Sequence, residues 1–475
     1  MSMVDVVLVY PPSVFEENLT AEGKLHRYRV GNKKLGAWPP LGLMYLSAVL
    51  KKEGISCKII NPFVQSLSLK TTVKDIAALN PKIVGISVTT LQIRGAVQLA
   101  RALKKIFGRK IFIVVGGPHI SIDPDFVRTF TCFDCGISGE AELTFPKIVK
   151  KVLKKKKVDR IIKSDLPLNL DALPFPDRKQ IKIDDYFEVE NPTATMITSR
   201  GCPYNCLFCS RVAISDKVRF LNPKLVVDEI ELIKEQYKHN FTFLDDTFTL
   251  SRTHTMALCR EMIRRKVNIN WSCNTRANLL DTQLVRLMKK AGCNLILIGI
   301  ESGNENFRNQ VVAKNILDKD IFKAVRICRQ AGITVGGYFM LGFPGESKNM
   351  LWETASAPKK FNLDIMSIHA TTIYPGSQLF QTANRESGTN ALKLWYEYAR
   401  GKRKLEDLPL VYIPKGIEFS EIEKARRFAY FKFYFRPQFI LRQIWHDLRS
   451  FKDLKRDILQ GLMLLRFGKT SKDLK

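Results

Sequence analysis

The chain is predicted to be an α/β protein made of a doubly wound parallel-sheet domain, a partial barrel of six β/α units and a helical extension. Three observations carry that prediction. Short β-branched strands alternate with helical patterns from residue 1 to about 155, which is the signature of a parallel sheet with helices on both faces. A second β/α series runs from Thr195 to Thr371 with six strands, too few to close an eight-fold barrel of the TIM type. Past about 400 the strands stop, and helices dense in aromatic and basic residues follow.

The first domain, residues 1–155, is expected to hold strands at Val4–Val9, Cys57–Ile60, Ile83–Val88, Ile111–Val115 and a segment ending at Ile137. Helices are expected at Leu41–Lys51, Val73–Leu79 and Ile93–Ile106. Lys147–Lys157 reads as a solvated helix end, and residues 156–190, with Pro167, Pro174 and Pro176, as extended linker. The barrel is assigned to 191–400, with strands at Thr195–Thr198, Phe241–Leu244, Asn268–Ser272, Leu295–Ile300, Thr334–Leu341 and Asp364–Thr371. Residues 401–475 form the basic, aromatic helical region.

Composition narrows the function classes. At 475 residues, 45% hydrophobic and 26% charged, the chain is neither a disordered tail nor a fibrous protein. No apolar run approaches the roughly 18 residues that span a bilayer. The start lacks a basic n-region and runs into Pro11-Pro12, so it reads as a strand, and a cytoplasmic location is expected. Lys plus Arg number 76 against 46 Asp plus Glu, a net +30 that favours anionic surfaces such as nucleic acid or lipid, or reflects a solubilising bias. Ten cysteines in such a chain argue for thiol or metal chemistry at some of them and against a disulfide framework.

Cys202, Cys206 and Cys209 stand in Gly201-Cys-Pro-Tyr-Asn-Cys-Leu-Phe-Cys-Ser, a C-x3-C-x2-C that follows the first barrel strand. Thiolates suit iron–sulfur clusters or zinc, and a closed structural site of either kind wants four protein ligands. Three close thiolates leave a position open; a zinc knuckle completed by a distant ligand is the alternative. At these residues the sequence resembles the radical S-adenosylmethionine (SAM) superfamily. The resemblance implies a [4Fe–4S] cluster with three irons on Cys202, Cys206 and Cys209 and SAM on the fourth. SAM cleavage there would yield a 5′-deoxyadenosyl radical, with a low-potential electron donor such as flavodoxin or ferredoxin as partner. It also makes SAM contacts of residues at later strand ends: Asp245 and Asp246 for the amino group, Arg276 for the carboxylate, Glu301 for the ribose and Gly342 for close approach to the adenine. A helix cap for one aspartate and a surface ion pair for Arg276 compete with those roles. No residue is assigned as catalytic.

The first domain carries small and glycine residues at its strand ends: Ser87, Thr89 and Thr90, then Gly116 and Gly117, then Gly139 and Glu140. Such crevices bind ligands, and no G-x-G-x-x-G opens a helix here, which disfavours a nicotinamide cofactor. With Pro39-Pro-Leu-Gly-Leu-Met-Tyr-Leu the layout resembles the Rossmann-like cobalamin-binding domain of the B12-dependent radical SAM branch, nearest to the anaerobic magnesium-protoporphyrin IX monomethyl ester cyclase-like group. Those seven residues are the implied cobalamin contacts. The family's D-x-H-x-x-G loop is replaced by Asn61-Pro-Phe-Val-Gln-Ser, so histidine ligation is not expected, and His119 reads as a turn or wall residue. Cys132 and Cys135 read as structural, and Cys57, Cys259, Cys273, Cys293 and Cys328 as isolated core residues.

The resemblance implies a cobalamin-dependent radical SAM enzyme that modifies an unactivated carbon of a hydrophobic or lipid small molecule, first by methyl transfer. Ring formation, RNA modification of methylthiotransferase type and a non-catalytic cobalamin regulator are alternatives. Nucleic acid is disfavoured because no second three-cysteine cluster and no RNA module accompany the barrel. Residues 424–475 carry 14 Lys or Arg against four Asp, with ten aromatics, a pattern expected to touch the inner face of a membrane or line a route for an apolar substrate.

Overall fold

The computed structural model describes residues 4–11, 29–30, 33–34, 38–65, 67–186, 193–213, 215, 217–388, 390–405, 408 and 410–436. The first sheet has six parallel strands: β1 (Val6–Val9), β2 (Cys57–Ile60), β3 (Ile83–Ser87), β4 (Phe112–Gly116), β5 (Cys135–Ser138) and β6 (Ile161–Lys163), in the order β2-β1-β3-β4-β5-β6. Alternation along β1 splits the core in two. Val7 and Val9 pack with Val84 and Ile86 under α2 (Leu69–Leu79) and α3 (Ile93–Phe107). Val6 and Leu8 pack on the other face with α1 (Leu41–Lys52) and α4 (Phe145–Leu153). Both faces are covered, which is why the strands read as unbroken apolar runs.

Strand β6 lies inside the segment expected to be linker. It is three residues long and follows a lysine run, so neither length nor alternation marks it; Gly136 N–H donates to the Arg160 carbonyl at 2.8 Å and starts the pairing. The rest of the expected linker is a strap tied to both domains. Asp177 N–H donates to the Met44 carbonyl (3.0 Å), and Arg178 forms a buried ion pair with Glu229 (2.7 Å) while donating to the Thr195 carbonyl (2.8 Å).

The second sheet runs β7 (Ala194–Met196), β8 (Asn240–Phe243), β9 (Asn270–Thr275), β10 (Cys293–Glu301), β11 (Thr334–Leu341) and β12 (Ile365–Ala370), all parallel and paired in sequence order. These are the six predicted strands, and β12 does not pair with β7, so the barrel is partial. Helices α5 (Pro223–Ile233), α6 (Arg252–Arg264), α7 (Thr282–Lys290), α8 (Asp318–Gln330) and α9 (Lys348–Lys360) cover its outer face.

Two returns of the chain flank the boundary expected at 400. After the barrel, α10 (Gln378–Ser387) and α11 (Ala391–Ala399) join the core of the first domain through Leu379, Trp395 and Tyr398. Tyr396 donates to Asp123 at 2.8 Å and Tyr398 to the Leu91 carbonyl at 3.3 Å. Next, α12 (Phe419–Tyr434) closes the open edge of β12: the Tyr434 hydroxyl accepts from Met366 N–H (3.3 Å) and donates to its carbonyl (3.0 Å), and Tyr430 accepts from Ile368 N–H (3.5 Å). Four residues of helix rise about 6 Å and two of strand about 6.6 Å, so the two tyrosines match alternate edge amides. Phe433 is buried and Tyr430 and Tyr434 pack on the barrel edge, whereas Phe431 on the same helix is exposed; Phe439, Trp445, Phe451 and Phe467 lie outside the described residues. Among those described, no helix is long and apolar enough to cross a membrane.

Candidate functional site

The cysteine loop leaves β7 through a short antiparallel ribbon, Ser199–Arg200 against Arg219–Phe220, that pinches its base. Gly201 opens the loop at φ +91°, where a Cβ would come within 2.2 Å of the Lys217 carbonyl, so only glycine fits. Leu207 N–H donates to the Val312 carbonyl (3.2 Å) and Leu379 N–H to the Leu207 carbonyl (2.9 Å), fastening the loop to the barrel and to α10. Cys206 is buried, and Cys202 and Cys209 are half-buried.

Burial pushes the Cys209 thiol up, and the nearby Cys206, Asp246 and Cys202 add to the rise, so the three sulfurs share one electrostatic neighbourhood. Three thiolates gathered this way repel one another, and a cationic iron centre relieves that repulsion. The donor set therefore fits an iron–sulfur cluster with one corner open.

The predicted SAM residues divide. Asp246 lies on the cavity described below, paired with Arg211 at 2.6 and 2.9 Å. Asp245 is buried with its carboxylate taken: Thr198 donates from N–H and hydroxyl (3.0 and 2.8 Å) and Ser199 from its hydroxyl (2.5 Å). It ties β8 to the end of β7; Oδ1 takes most of these donors, and Oδ2 accepts only from the Thr198 N–H. Arg276 is also buried. Its guanidinium lies 3.7 Å from the Tyr204 ring centroid, bonds the Lys314 carbonyl and approaches the Cys206 sulfur at 3.9 Å, so it braces the cysteine loop. Its Nε has no partner in the protein.

Glu301 sits at φ +68° beyond an irregularity in the β10–β11 register and pairs with the buried Lys314 at 2.9 Å. Gly342 has the positive φ that suits a close approach, and a Cβ there would meet the Tyr412 carbonyl of the chain's own C-terminal segment at 2.8 Å. Sequence reasoning gave no role to Lys314, Tyr204 or Glu346. Glu346 accepts from the N–H groups of Gly342 and Phe343 (2.5 and 3.0 Å), leaves its other oxygen without a partner, and is pushed up to about 7 by burial.

A cavity of about 350 Å³ separates the strand ends of the two sheets. From the first domain it takes Gly42, Ser87, Gly116, Gly117, Gly139 and Glu140; from the barrel side it takes Arg200, Gly201, Leu244 and Asp246. Gly42 opposes the rim with nothing within 4 Å of a would-be Cβ, so bare backbone forms a cradle for a flat group. Thr89 and Thr90 are not on it: Thr89 pairs with Gln92 in a capping box, and Thr90 bonds His119 Nδ1 at 3.2 Å on the far side. Gly117 is required by Ser87 and Val88, which a Cβ would meet at 3.0 and 2.8 Å. Glu140 is held below its ordinary range; burial works to raise it, and Arg219 and Arg200 outweigh that. With Glu142 it forms an ion-pair network to Arg200 and Arg219 that joins the two domains. His119 is fully buried, is pushed down to about 3 by that burial and does not line the cavity.

Residues 196–357 match the Radical SAM superfamily and residues 30–149 the B12 binding domain. An uncharacterized methyltransferase of Pyrococcus horikoshii is 29% identical over 94% of this chain and 95% of its own. The anaerobic magnesium-protoporphyrin IX monomethyl ester cyclase of Rubrivivax gelatinosus is 27% identical over 74% of this chain and 68% of its own. The radical SAM methyltransferase TsrM from Kitasatospora setae, solved with tryptophan and a SAM analogue, superposes with a TM-score of 0.66 at 17% identity, covering 80% of this chain and 76% of that one.

Proposed function

We propose that this radical SAM enzyme, whose cofactors are a [4Fe–4S] cluster, SAM and cobalamin, transfers a methyl group to an unactivated carbon of an apolar small molecule. The observation that carries this reading is the single cavity walled by the strand ends of both domains. When bound, the cluster with SAM supplies hydrogen abstraction from carbon and cobalamin supplies the methyl group. The chain's own part is to hold the two sites face to face. The ribbon at Arg200 and the Glu140–Arg219 pair fix the distance between domains. Arg276 and Tyr204 fix the cysteine loop, and Asp246 with Arg211 offers a polar edge for the ammonium of SAM.

The inner positions of the barrel are mixed. Leu295, Leu297, Tyr338 and Met340 are half-buried on the face opposite the helix-covered core and support an apolar moiety, while Thr242, Ser272, Asn274 and Ser367 on the same face present polar groups. Ring formation is the second reading, supported by the likeness to the magnesium-protoporphyrin cyclase.

The test is anaerobic incubation of the reconstituted protein with trideuteromethyl-SAM and extract fractions from a strain lacking the protein. A product carrying the labelled methyl supports methyl transfer. An unlabelled product poorer in hydrogen supports the cyclase reading, and SAM cleavage with no labelled product in any fraction overturns the methyl-transfer reading.

A further inference from the structure

A second cavity of about 700 Å³ runs along the C-terminal half of α1, between the strap and α5. Its apolar surface includes Phe175 and Leu232, exposed by 36% and 66%, and its accessible charges are the exposed Lys51, Lys52 and Lys179 against the half-buried Asp177. Arg178 and Glu229 are buried beneath it and neutralise each other. Lys51 and Lys52 also complement the C-terminus of α1, but that effect needs no apolar groove beside it.

The groove does not end blindly. A void of about 20 Å³, room for about one water, shares Pro174, Phe175 and Glu229 with the groove and Tyr45 and Arg200 with the cofactor cavity. The Arg200 guanidinium lies 5.0 Å from the Tyr45 ring centroid, and Arg200 is followed by Gly201 and then Cys202. From Tyr45 to Lys52 the helix rises only about 10 Å.

We propose that this groove docks a small acidic one-electron carrier, with a reduced flavin or iron–sulfur centre, and passes its electron by way of Tyr45 and Arg200 to the cysteine-loop side of the cavity. The proposal rests on the radical SAM reading, whose chemistry consumes an electron. One electron leaves the carrier, which departs oxidised by one electron, and would reduce by one electron the [4Fe–4S] cluster that Cys202, Cys206 and Cys209 would hold; no bond in the protein forms or breaks. A rim of cations around an apolar floor steers an acidic partner and then holds it, and the net +30 of the chain extends the steering.

The test uses the holoenzyme and reduced flavodoxin as the probe. Lys51→Glu/Lys52→Glu/Lys179→Glu is expected to weaken flavodoxin binding by calorimetry about tenfold and to slow flavodoxin-driven reduction in stopped flow by a similar factor. SAM cleavage driven by dithionite, which needs no docking, should stay within about twofold. Leu232→Ser, which changes no charge, should also weaken binding several-fold and decides the matter where the triple variant fails to fold. Unchanged affinity in both variants overturns the proposal. So does an equal loss in Lys154→Glu/Lys156→Glu, because attraction by total charge then needs no groove. Wild-type protein that cannot cleave SAM with dithionite counts against the radical SAM reading alone, since the binding measurement still reports on the groove.

Discussion

On the first-domain side the central cavity is walled by apolar side chains, among them Leu8, Leu43, Ile86, Ile137 and Phe145, and opened by Gly42, Gly116 and Gly139. On the barrel side it meets side chains already committed: Arg200 to Glu140 and Glu142, Asp246 to Arg211, and Arg276 behind them to Tyr204 and the cysteine loop. The contrast separates two kinds of binding. An apolar wall opened by glycines accommodates a large flat group by shape, and its contribution is mostly area removed from water. A wall of paired charges fixes angles and distances, which is what a reaction centre needs.

The largest effects should come from breaking one rim without the other. Cys206→Ala is expected to lose the cluster and all SAM cleavage while keeping cobalamin, because no thiolate remains for one of the three irons. Gly42→Trp fills open space at the start of α1 and should lower cobalamin occupancy at least about tenfold while leaving iron content intact. Anaerobic ultraviolet-visible spectra with iron and cobalt analysis read both. Loss of both cofactors in each variant would show that the rims are one cooperative unit and end the contrast.

A smaller effect concerns the charge held behind the barrel rim. Glu346 lies folded at about 7, above its ordinary value near 4.5, so between those pH values the folded state holds a proton that the unfolded state has released. Stability from this group is therefore full below about pH 4.5 and falls as pH rises to about 7, by on the order of 2–3 kcal/mol. Glu346→Gln should flatten that part of the profile and raise the melting temperature at pH 8 relative to wild type. Parallel melting curves for the two proteins from pH 5 to pH 8 would remove Glu346 as a charge that the barrel rim carries at a cost.

Much of this architecture was legible because burial writes itself into periodicity. The six barrel strands and five strands of the first sheet stood out as apolar runs, and the cysteine loop stood out by spacing. Periodicity marks an apolar face but not what that face meets, so the return of Trp395 and Tyr398 to the first domain was hidden. Strand β6 was too short to show a period. For the same reason the core cysteines looked isolated, although Cys273 and Cys293 meet across β9 and β10. Lys314 and Tyr204 act through neighbours distant in sequence, and no local pattern announces such partners. The strand-end glycines were found, but two of them serve the chain itself: Gly117 its own neighbouring loop and Gly342 the C-terminal segment.

That last distinction yields the finest prediction, a pair of adjacent glycines on the first-domain rim. Gly117 has φ +95°, and an added methyl group would lie 2.8 Å from Val88 N, a contact that strand β3 cannot relieve without moving. Gly117→Ala should therefore destabilise the fold by about 1–3 kcal/mol through strain. Gly116 has no positive φ, and its added methyl would find Ile137 at 3.7 Å, an ordinary contact, so Gly116→Ala should cost well under about 1 kcal/mol in stability. Chemical denaturation measures both, and cobalamin titration of the folded fraction supplies the second axis. If Gly117 serves the fold, its alanine variant melts early but binds cobalamin normally once folded. If it serves the cofactor, stability holds and affinity falls. The short distances to Ser87 and Val88 favour the first outcome, and the second would return Gly117 to the cofactor wall.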